Sequence, residues 1–554
     1  MIFIKTVNEN ITNLISLKIE KTTKYKNEIL KAMNILLNGN YIKYDIENAI
    51  EINNKIELSD KAFQEILGHV NEKSNIRKLN GVYYTPNDVS KYIICNSFIN
   101  KFYDNNEKMH NFDDGIKLLN KVDDIEKIAF NTDVIDPTCG SGEFLVNVFE
   151  IKYILLKNKK MDKDKDILNI CKTIYGNDID EESTDISKIR MFFYVVNFLE
   201  EKESIIELAK ILNKQFYNID FICKSNEIKK KFDIVIGNPP YVEYGKYKDK
   251  EMLKNKFGNV YADVIKNSIN VLAKNGVLGF IIPISYVSTA RMKDIREYVE
   301  NNTNKQFVLS FADRPDCLFN GVHQKLNIII CKQGNEDHIK FTSNYKHWYK
   351  DERKELLNGR EVISNNNKFE QFIPKLGNKI EKSIFEKIYT DESNNIYDIQ
   401  AVGEKIYLNM RACFWIKAFS FNPGSKEYKE FMFNENDYAF IHCLLNSSLF
   451  WLYWTIVSDC WHITTKELKH IKVINNVEKS LKYIELYKEL EKKLEKTKKY
   501  VGTKQIEYEY KHRLCKDVID KIDEQLANDY KLSGKELEYV KEFAEIYRVG
   551  GNND

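Results

Sequence analysis

Residues 233–241 read Asp-Ile-Val-Ile-Gly-Asn-Pro-Pro-Tyr, and this stretch decides the fold of the central part of the chain. The apolar, largely β-branched run 234–236 predicts a buried strand that ends at Gly237. Two adjacent prolines cannot continue a central ladder, so a rigid, extended loop must follow the strand. Because ligands bind at the carboxyl edge of an open α/β sheet, the sequence predicts a site at this loop.

The loop carries groups suited to hold an amino or amide nitrogen. The side-chain oxygen of Asn238 and the carbonyl oxygen of Pro239 are both acceptors, and together they can bind both hydrogens of an NH2 group. This grip directs the nitrogen lone pair at an electrophile and stabilises the positive charge that develops during attack. Pro240 adds rigidity, and Tyr241 offers a flat ring to a planar substrate. The motif alone leaves open a plain Pro-Pro turn beside a buried tyrosine.

Composition bounds the class of protein. A length of 554 residues suggests roughly two to four domains, and 43% hydrophobic with 30% charged residues fits a soluble globular protein. The net charge of +2 requires any nucleic-acid surface to come from local clustering of basic residues. Ten cysteines without a C-x-x-C pair predict reduced thiols in a cytoplasmic protein, with no metal site. We also expect no signal peptide and no membrane span.

Four regions are predicted along the chain. Residues 1–78 show apolar residues at helical spacing and predict a helical arm. Strand and helix patterns alternate over residues 79–335, which predicts a doubly wound, mostly parallel sheet. Residues 336–475 change to short mixed segments rich in aromatic residues and predict a separate α+β domain. Residues 476–554, rich in lysine and glutamate, predict a helical C-terminal region.

The run Val134-Ile-Asp-Pro-Thr-Cys-Gly-Ser-Gly-Glu-Phe144 predicts a short strand, a glycine turn and the start of a helix. Gly140 and Gly142 let the backbone approach a ligand closely, and the carboxylate of Asp136 favours a cationic or hydroxyl-bearing one. The run is not the dinucleotide fingerprint, because a carboxylate precedes the glycines and their spacing differs. An ammonium-bearing cofactor fits it better than a pyrophosphate, and a plain strand–helix turn is the alternative.

Two further acids follow along the chain. Asp178, after the second predicted strand, is placed to bind ribose hydroxyls as acids do in nucleotide-binding folds. Asp220 and Phe221 are predicted on a third strand, Phe216–Ile222. There the carboxylate could accept a hydrogen bond from an adenine amino group, and the phenyl ring could pack on a base.

In order, Gly81-Val-Tyr-Tyr-Thr-Pro86, the Asp136–Phe144 turn, Asp178, Asp220 and the Asn238–Tyr241 loop resemble the gamma-class N6-adenine DNA methyltransferases. Within that class the chain is similar to the type II and type IIG restriction-modification methylases that carry their own target-recognition domain. The resemblance implies a Rossmann-like, seven-stranded methyltransferase sheet with one reversed strand. It also implies S-adenosylmethionine as cofactor, and an adenine flipped out of double-stranded DNA as substrate.

The resemblance also assigns roles to residues. Thr85 would close over the methionine part of the cofactor, while Asn238 and Pro239 hold the N6 amine and Tyr241 stacks on the base. The remaining cofactor contacts would be Asp136, Gly140, Gly142, Phe144, Asp178, Asp220 and Phe221. The stretch 318–325 resembles the family's eighth motif and places Phe319 against the flipped base, with a core phenylalanine as the alternative.

Two parts of the chain extend or depart from this pattern. Val264 stands where the family often has an aromatic residue near the cofactor adenine. The stretches 444–454 and 458–464 resemble target-recognition domains. Candidate phosphate contacts beside them are Arg411, Lys417, Lys466 and Lys469.

The sequence therefore predicts a site-specific, adenine-specific DNA methyltransferase, the modification enzyme of a restriction-modification system. A separately encoded restriction endonuclease is a candidate partner, because residues 1–78 lack the clustered acids of a nuclease. The alternatives are a protein (glutamine) or RNA methyltransferase, a type I modification subunit needing a separate specificity subunit, and a non-enzymatic DNA-binding scaffold. The segment 84–86 and the long C-terminal part favour the DNA enzyme. The recognition sequence and the oligomeric state do not follow from the sequence.

Overall fold

The computed structural model describes most of the chain from residue 84 onward. The described ranges are 84–157, 162–247, 257–319, 321–358, 360–474, 480–503 and 507–550, with residues 251, 253 and 255 and short stretches before residue 68. Within the predicted helical arm, helix α1 (Lys26–Leu36) buries Ile29, Ala32, Met33 and Leu36. The rest of that arm lies largely outside the described residues, and so does the segment 81–83.

A nine-stranded mixed sheet forms the centre of the molecule. Its strands are β1 (Val134–Asp136), β2 (Ile174–Asn177), β3 (Phe216–Tyr217), β4 (Phe232–Gly237), β5 (Leu272–Pro283), β6 (Lys305–Phe311), β7 (Leu326–Lys332), β8 (Ile339–Lys346) and β9 (Ile363–Ser364). They lie in the order β3-β2-β1-β4-β5-β7-β6-β8-β9. Neighbours from β3 to β5 pair in parallel, β7 is antiparallel to both β5 and β6, and β8 runs parallel to β6.

Helices flank this sheet. In chain order they are α2 (Asn87–Phe102), α3 (Phe112–Leu119), α4 (Ile125–Phe130), α5 (Glu143–Leu156), α6 (Lys163–Cys171), α7 (Glu181–Val195), α8 (Lys202–Gln215), α9 (Phe221–Lys224), α10 (Val260–Val271), α11 (Ser285–Ser288) and α12 (Lys293–Asn302). Every residue of β1, β2, β6 and β7 is buried, so both faces of the sheet are covered. That double coverage explains why these strands read as continuous apolar runs in the sequence.

The predicted α/β class is confirmed, and β7 is the reversed strand. The sheet has two strands more than the seven predicted. Both β8 and β9 lie beyond residue 335, and they extend the sheet because β8 pairs with the outer side of β6 and β9 pairs with β8. The boundaries between the predicted domains stay predictions.

The third strand is shorter than predicted. β3 ends at Tyr217 because the buried side chain of Asn177 binds both the N–H and the carbonyl of Ile219, at 3.0 Å each, and turns the backbone out of the ladder. Asp220 then caps α9, accepting hydrogen bonds from the N–H groups of Ile222 and Cys223. The prediction that Asp220 and Phe221 lie on the strand is therefore wrong. They follow it at its carboxyl end.

The C-terminal part combines helices with two small sheets. Its elements are α13 (Lys379–Ile388), β10 (Glu404–Asn409), β11 (Ala418–Phe419), β12 (Tyr428–Phe433), α14 (Glu435–Asn446), α15 (Ser448–Val457), α16 (Thr465–Lys469), α17 (Ser480–Thr497), β13 (Lys499–Tyr500), β14 (Tyr508–Glu509), α18 (Lys516–Asp529), α19 (Gly534–Glu542) and α20 (Glu545–Val549). Strands β11, β10 and β12 form one antiparallel sheet, and β13 pairs with β14. Phe450, Trp451 and Trp454 on α15 are at most 1% exposed, so they belong to the core.

The helices of the described residues are short for a membrane span. None of them is both long and apolar enough to cross a membrane alone. The pair α14 and α15 meets the length and hydropathy requirement only when taken together, across a bend of 69°.

Candidate cofactor and amine site

The turn between β1 and α5 is shaped by two glycines with left-handed backbone. The φ angles are 54° at Gly140 and 81° at Gly142. A Cβ atom at Gly142 would lie 3.0 Å from the Ser187 Oγ atom, whereas one at Gly140 would meet no atom within 4 Å. The Gly140 N–H donates to Asp178 Oδ2 at 2.9 Å. Gly142 thus permits close helix packing, and Gly140 borders open space beside an acidic side chain.

Asp136 is a buried acid where β1 and β4 end. Its Oδ1 atom accepts a hydrogen bond from the Thr138 N–H at 3.0 Å, and the residue is 1% exposed. Burial raises the pKa of Asp136 well above its usual range, and the neighbouring Asp178 carboxylate adds to the rise. A cationic ligand group nearby would offset this cost.

Gly237 at the end of β4 allows the close approach to Asp136. Its φ is 151°, and a Cβ atom on it would lie 2.6 Å from Asp136 Oδ1. That distance is shorter than a side-chain carbon tolerates, so glycine is needed for the strand to pass the carboxyl group.

The acids after β2 and β3 lie at the same sheet edge. Asp178 Oδ1 accepts from the Asp180 N–H at 3.0 Å, and Asp180 caps α7 through the Ser183 N–H. The Tyr247 hydroxyl donates to the Asp220 carboxylate, at 3.1 and 3.2 Å from its two oxygens. Tyr247 belongs to the segment after the Asn238–Tyr241 loop, so that segment reaches across to the end of β3.

The loop after β4 contacts the segment that precedes α2. The Asn238 side-chain NH2 donates to Thr85 Oγ1 at 3.1 Å, across 153 residues of sequence, and Thr85 is 4% exposed. The Tyr241 hydroxyl donates to the Ile281 carbonyl on β5 at 3.0 Å. The Tyr241 ring meets the Tyr261 ring edge to face, with 6.5 Å between centroids. These contacts fix the orientation of both the amide and the ring.

Glu143 and Arg190, for which the sequence predicted no role, hold the Tyr84–Pro86 segment in place. Glu143, 6% exposed, accepts from the Tyr84 hydroxyl at 2.8 Å and from the Asn87 amide at 3.0 Å, and it forms an ion pair with Arg190. Burial alone would raise the pKa of Glu143, but Arg190 and these hydrogen bonds outweigh it and lower the pKa. In the sequence, Glu143 is recognisable only as an acid in the first helical turn after the glycines. That position does not identify Arg190 as its ion-pair partner.

Phe319 lies in the loop between β6 and β7, 1% exposed, and its backbone bridges to Val322. The Arg353 guanidinium donates to the adjacent Leu318 carbonyl at 3.1 Å and pairs with Asp88 at the start of α2. This burial agrees with the core alternative, and the contact of Phe319 with a base stays a prediction. Val264 is fully buried in α10.

Of the candidate phosphate contacts, Lys466 is not available to bind DNA. Its ammonium group donates to the carbonyls of Ser288 and Val457, at 2.6 and 2.7 Å, and its side chain is 10% exposed. Burial lowers the pKa of Lys417. Arg411 is exposed and pairs with Glu427 at 3.0 Å.

Over the described residues, no group of three or more His, Cys, Asp or Glu side chains is placed to hold a metal ion.

Residues 172–317 match the model of the Eco57I restriction-modification methylase family. This segment of the chain is similar to the Eco57I-type restriction-modification methylases. The type II restriction enzyme and methyltransferase RM.Eco57I of Escherichia coli is 24% identical over 411 residues, which are 64% of this chain and 39% of that protein. The type II methyltransferase M.VspI of Vibrio sp. (strain 343) is 24% identical over 293 residues, 51% of this chain and 58% of that protein.

The residues matched by the family model include β2, Asp220 and the Asn238–Tyr241 loop. The alignments cover 39% and 58% of these two relatives, less than two thirds of either. Among solved structures, the type IIL restriction-modification enzyme MmeI in complex with DNA is similar, with a TM-score of 0.52 and 13% identity. The similarity covers 97% of this chain and 92% of that one. At this identity the likeness shows a shared fold.

Proposed function

We propose that the chain is a site-specific DNA methyltransferase that transfers a methyl group from S-adenosylmethionine to the N6 amine of adenine, as the modification enzyme of a restriction-modification system. The hydrogen bond from Asn238 to Thr85 carries this proposal. It joins the amine-gripping loop to the segment before α2, at the same sheet edge as the glycine turn. Methylation is the one activity proposed for these 554 residues.

The residues present fit S-adenosylmethionine. The open space beside Gly140 is bordered by Asp178, whose carboxylate can accept from hydroxyl groups. The buried carboxyl group of Asp136, with its raised pKa, favours a cation nearby. Asp220 lies farther along the edge, where it can accept from an amino group. When bound, the cofactor supplies an electrophilic methyl group.

The chain's own residues then position the amine. The Asn238 NH2 donates to Thr85 Oγ1, and the amide oxygen can accept from a substrate NH2 together with the Pro239 carbonyl. Both acceptors favour the positive charge that develops on nitrogen, so no strong base is needed during transfer. The surplus proton leaves to solvent afterwards. Catalysis therefore rests on positioning and on electrostatic stabilisation.

Tyr241 is held as a stacking surface. Its hydroxyl is fixed to the Ile281 carbonyl, and the Tyr261 ring supports it from the side. An adenine reaches such a pocket only after leaving the duplex, which costs a few kcal/mol of unstacking. Double-stranded DNA is accordingly the proposed partner, and the C-terminal part is the proposed target-recognition region.

The test is to incubate the purified chain with cofactor labelled in the methyl group and, in separate reactions, with genomic DNA, total RNA and a release-factor protein. Label in DNA without any added subunit is expected. Label confined to RNA or protein would contradict the proposal. Label in DNA only after a specificity subunit is added would replace it with a type I modification subunit.

A further inference from the structure

Two cations and an indole ring lie on the same sheet edge as Asn238, and we call these three residues, Arg314, Lys325 and Trp461, the Trp461 surface. Arg314 follows β6, and Lys325 precedes β7. Both cations approach the ring of Trp461, with the Lys325 Nζ atom 4.6 Å and the Arg314 Cζ atom 5.9 Å from its centroid. The cations thus come from the catalytic sheet and the ring from the C-terminal part.

Two acids accompany the two cations of this surface: Asp313, beside Lys325, and Asp459, which accepts from the Trp461 N–H at 2.9 Å. Lys325 pairs at 3.3 Å with Asp313, which is 4% exposed. Arg314 is exposed, and within the described ranges it forms no ion pair. His347 lines the same cleft, but burial lowers its pKa to about 4, so it is neutral near pH 7. The cleft between these residues is open to solvent.

The Trp461 surface is fixed relative to the catalytic edge. The Ala412 N–H donates to the Trp461 carbonyl at 3.1 Å, and the Trp454 indole N–H donates to the His462 carbonyl at 2.9 Å. Lys466 ties this loop to Ser288 in α11, directly after β5. A group bound at Trp461 is therefore held at a defined distance from the loop after β4.

That distance follows from strand spacing. β4, β5 and β6 are mutually parallel, so their carboxyl ends share one edge, and β6 lies three strand steps from β4. At about 4.8 Å per step the separation is roughly 14 Å.

We propose that the exposed Arg314, which lies over the Trp461 ring, binds a backbone phosphate of the DNA near the target adenine. The inference rests on the proposed function, because it takes DNA as the substrate. A phosphate is favoured over a base, since both cations already lie on the ring that a base would need for stacking. Arginine's planar fork suits phosphate oxygens, and a cation over an aromatic ring is held in position without losing its charge.

The test measures the salt dependence of DNA binding. Affinity for a duplex that contains a sequence methylated by the wild type is measured over a range of NaCl concentrations for the wild type and for Arg314→Ala. One lost phosphate contact should reduce the slope of log K against log salt by about 1 and weaken binding several-fold. Arg314→Lys keeps the charge and should keep the slope.

The matched control is Lys214→Ala, which removes one exposed positive charge just before β3, at the amino edge of the sheet. Within the described residues Lys214 forms no ion pair. The slope of log K against log salt for Lys214→Ala should therefore equal that of the wild type. An unchanged slope in Arg314→Ala, with the wild type methylating the duplex, would overturn the phosphate contact alone. An altered base preference with an unchanged slope would overturn it in favour of base reading. A wild type that neither binds nor methylates DNA would overturn the proposed function as well.

Discussion

The Asn238–Tyr241 loop and the Trp461 surface lie on one edge of one sheet, yet they are built differently. The loop is four consecutive residues whose backbone is set by two prolines and by Gly237. The Trp461 surface brings together side chains from two distant parts of the chain. The long, adaptable side chains of Arg314 and Lys325 reach the Trp461 ring. Chemistry that needs fixed geometry is thus placed where the backbone dictates it, and charge contacts are placed where side chains meet. Changes at the loop should therefore affect methyl transfer, and changes at the Trp461 surface should affect DNA affinity.

The largest expected effect is that of Asn238→Ala. Loss of the amide removes an acceptor for the developing positive charge and should lower methyl transfer by about 1000-fold, at the upper end for loss of one such group. Cofactor affinity should change little, and both are measured with labelled cofactor and by calorimetry. Asn436→Ala, on the exposed first turn of α14, is the control. Equal loss of cofactor binding would show that Asn238 holds the site together and has no direct role in transfer.

Glu143→Gln should give the next largest effect, on stability. It leaves the Arg190 guanidinium buried without its counter-charge, which costs about 3 kcal/mol of unfolding free energy at pH 7. Because the pKa of Glu143 is lower in the folded protein, the ionised side chain stabilises the fold at pH values above the unfolded pKa of about 4.5. This stabilisation is lost as the pH falls through the folded pKa.

Urea unfolding of Glu143→Gln at several pH values checks this prediction. The difference from wild type should be large at pH 7 and shrink below the unfolded pKa of 4.5. Glu538→Gln, at an exposed position on α19, should match the wild type throughout. A difference that stays constant with pH would mean that the ion pair with Arg190 is not its source.

Gly237→Ala should have a smaller effect, confined to the loop. The new Cβ atom would overlap Asp136 Oδ1 and require an unfavourable φ, at a cost of about 1–3 kcal/mol, with weaker cofactor binding. In the control Gly245→Ala the added carbon meets no atom within 4 Å. Urea unfolding and calorimetry compare the two. Equal behaviour of both variants would show that β4 does not need the close approach.

Trp461→Ala should have the smallest effect, on DNA affinity. Without the ring the two cations lose their support, worth about 1 kcal/mol or about fivefold in affinity. Fluorescence anisotropy with labelled duplex measures the change. Tyr500→Ala, which removes an exposed aromatic residue on β13, serves as the control. A loss in Trp461→Ala no larger than in the control would separate the ring from DNA binding.

The parts of the site that depend on neighbouring residues were predictable from sequence. The glycine turn, the strand β4 and the Pro-Pro loop follow from local backbone rules, and Gly140, Gly142 and Asn238 lie at the predicted edge. The parts that depend on distant partners were not. β3 stops early because of the Asn177 side chain. Glu143 forms its ion pair with Arg190, which lies 47 residues further along the chain.

The C-terminal part shows the same limit. An exposed lysine and a buried one look alike in sequence, so Lys466 was predicted to bind phosphate although it holds two carbonyl groups. The pairing of β8 with β6 likewise depends on which edge of the sheet is left uncovered. The alternation of apolar and polar residues along a strand does not specify that edge.

The most direct test identifies the methylated atom. DNA incubated with the purified chain and S-adenosylmethionine is digested to nucleosides and analysed by mass spectrometry, with wild type and Asn238→Ala in parallel. N6-methyladenine in the wild-type reaction, and about 1000-fold less with the variant, is the expected result. A methylated cytosine, or N6-methyladenine formed equally by Asn238→Ala, would contradict adenine methylation by the Asn238–Tyr241 loop.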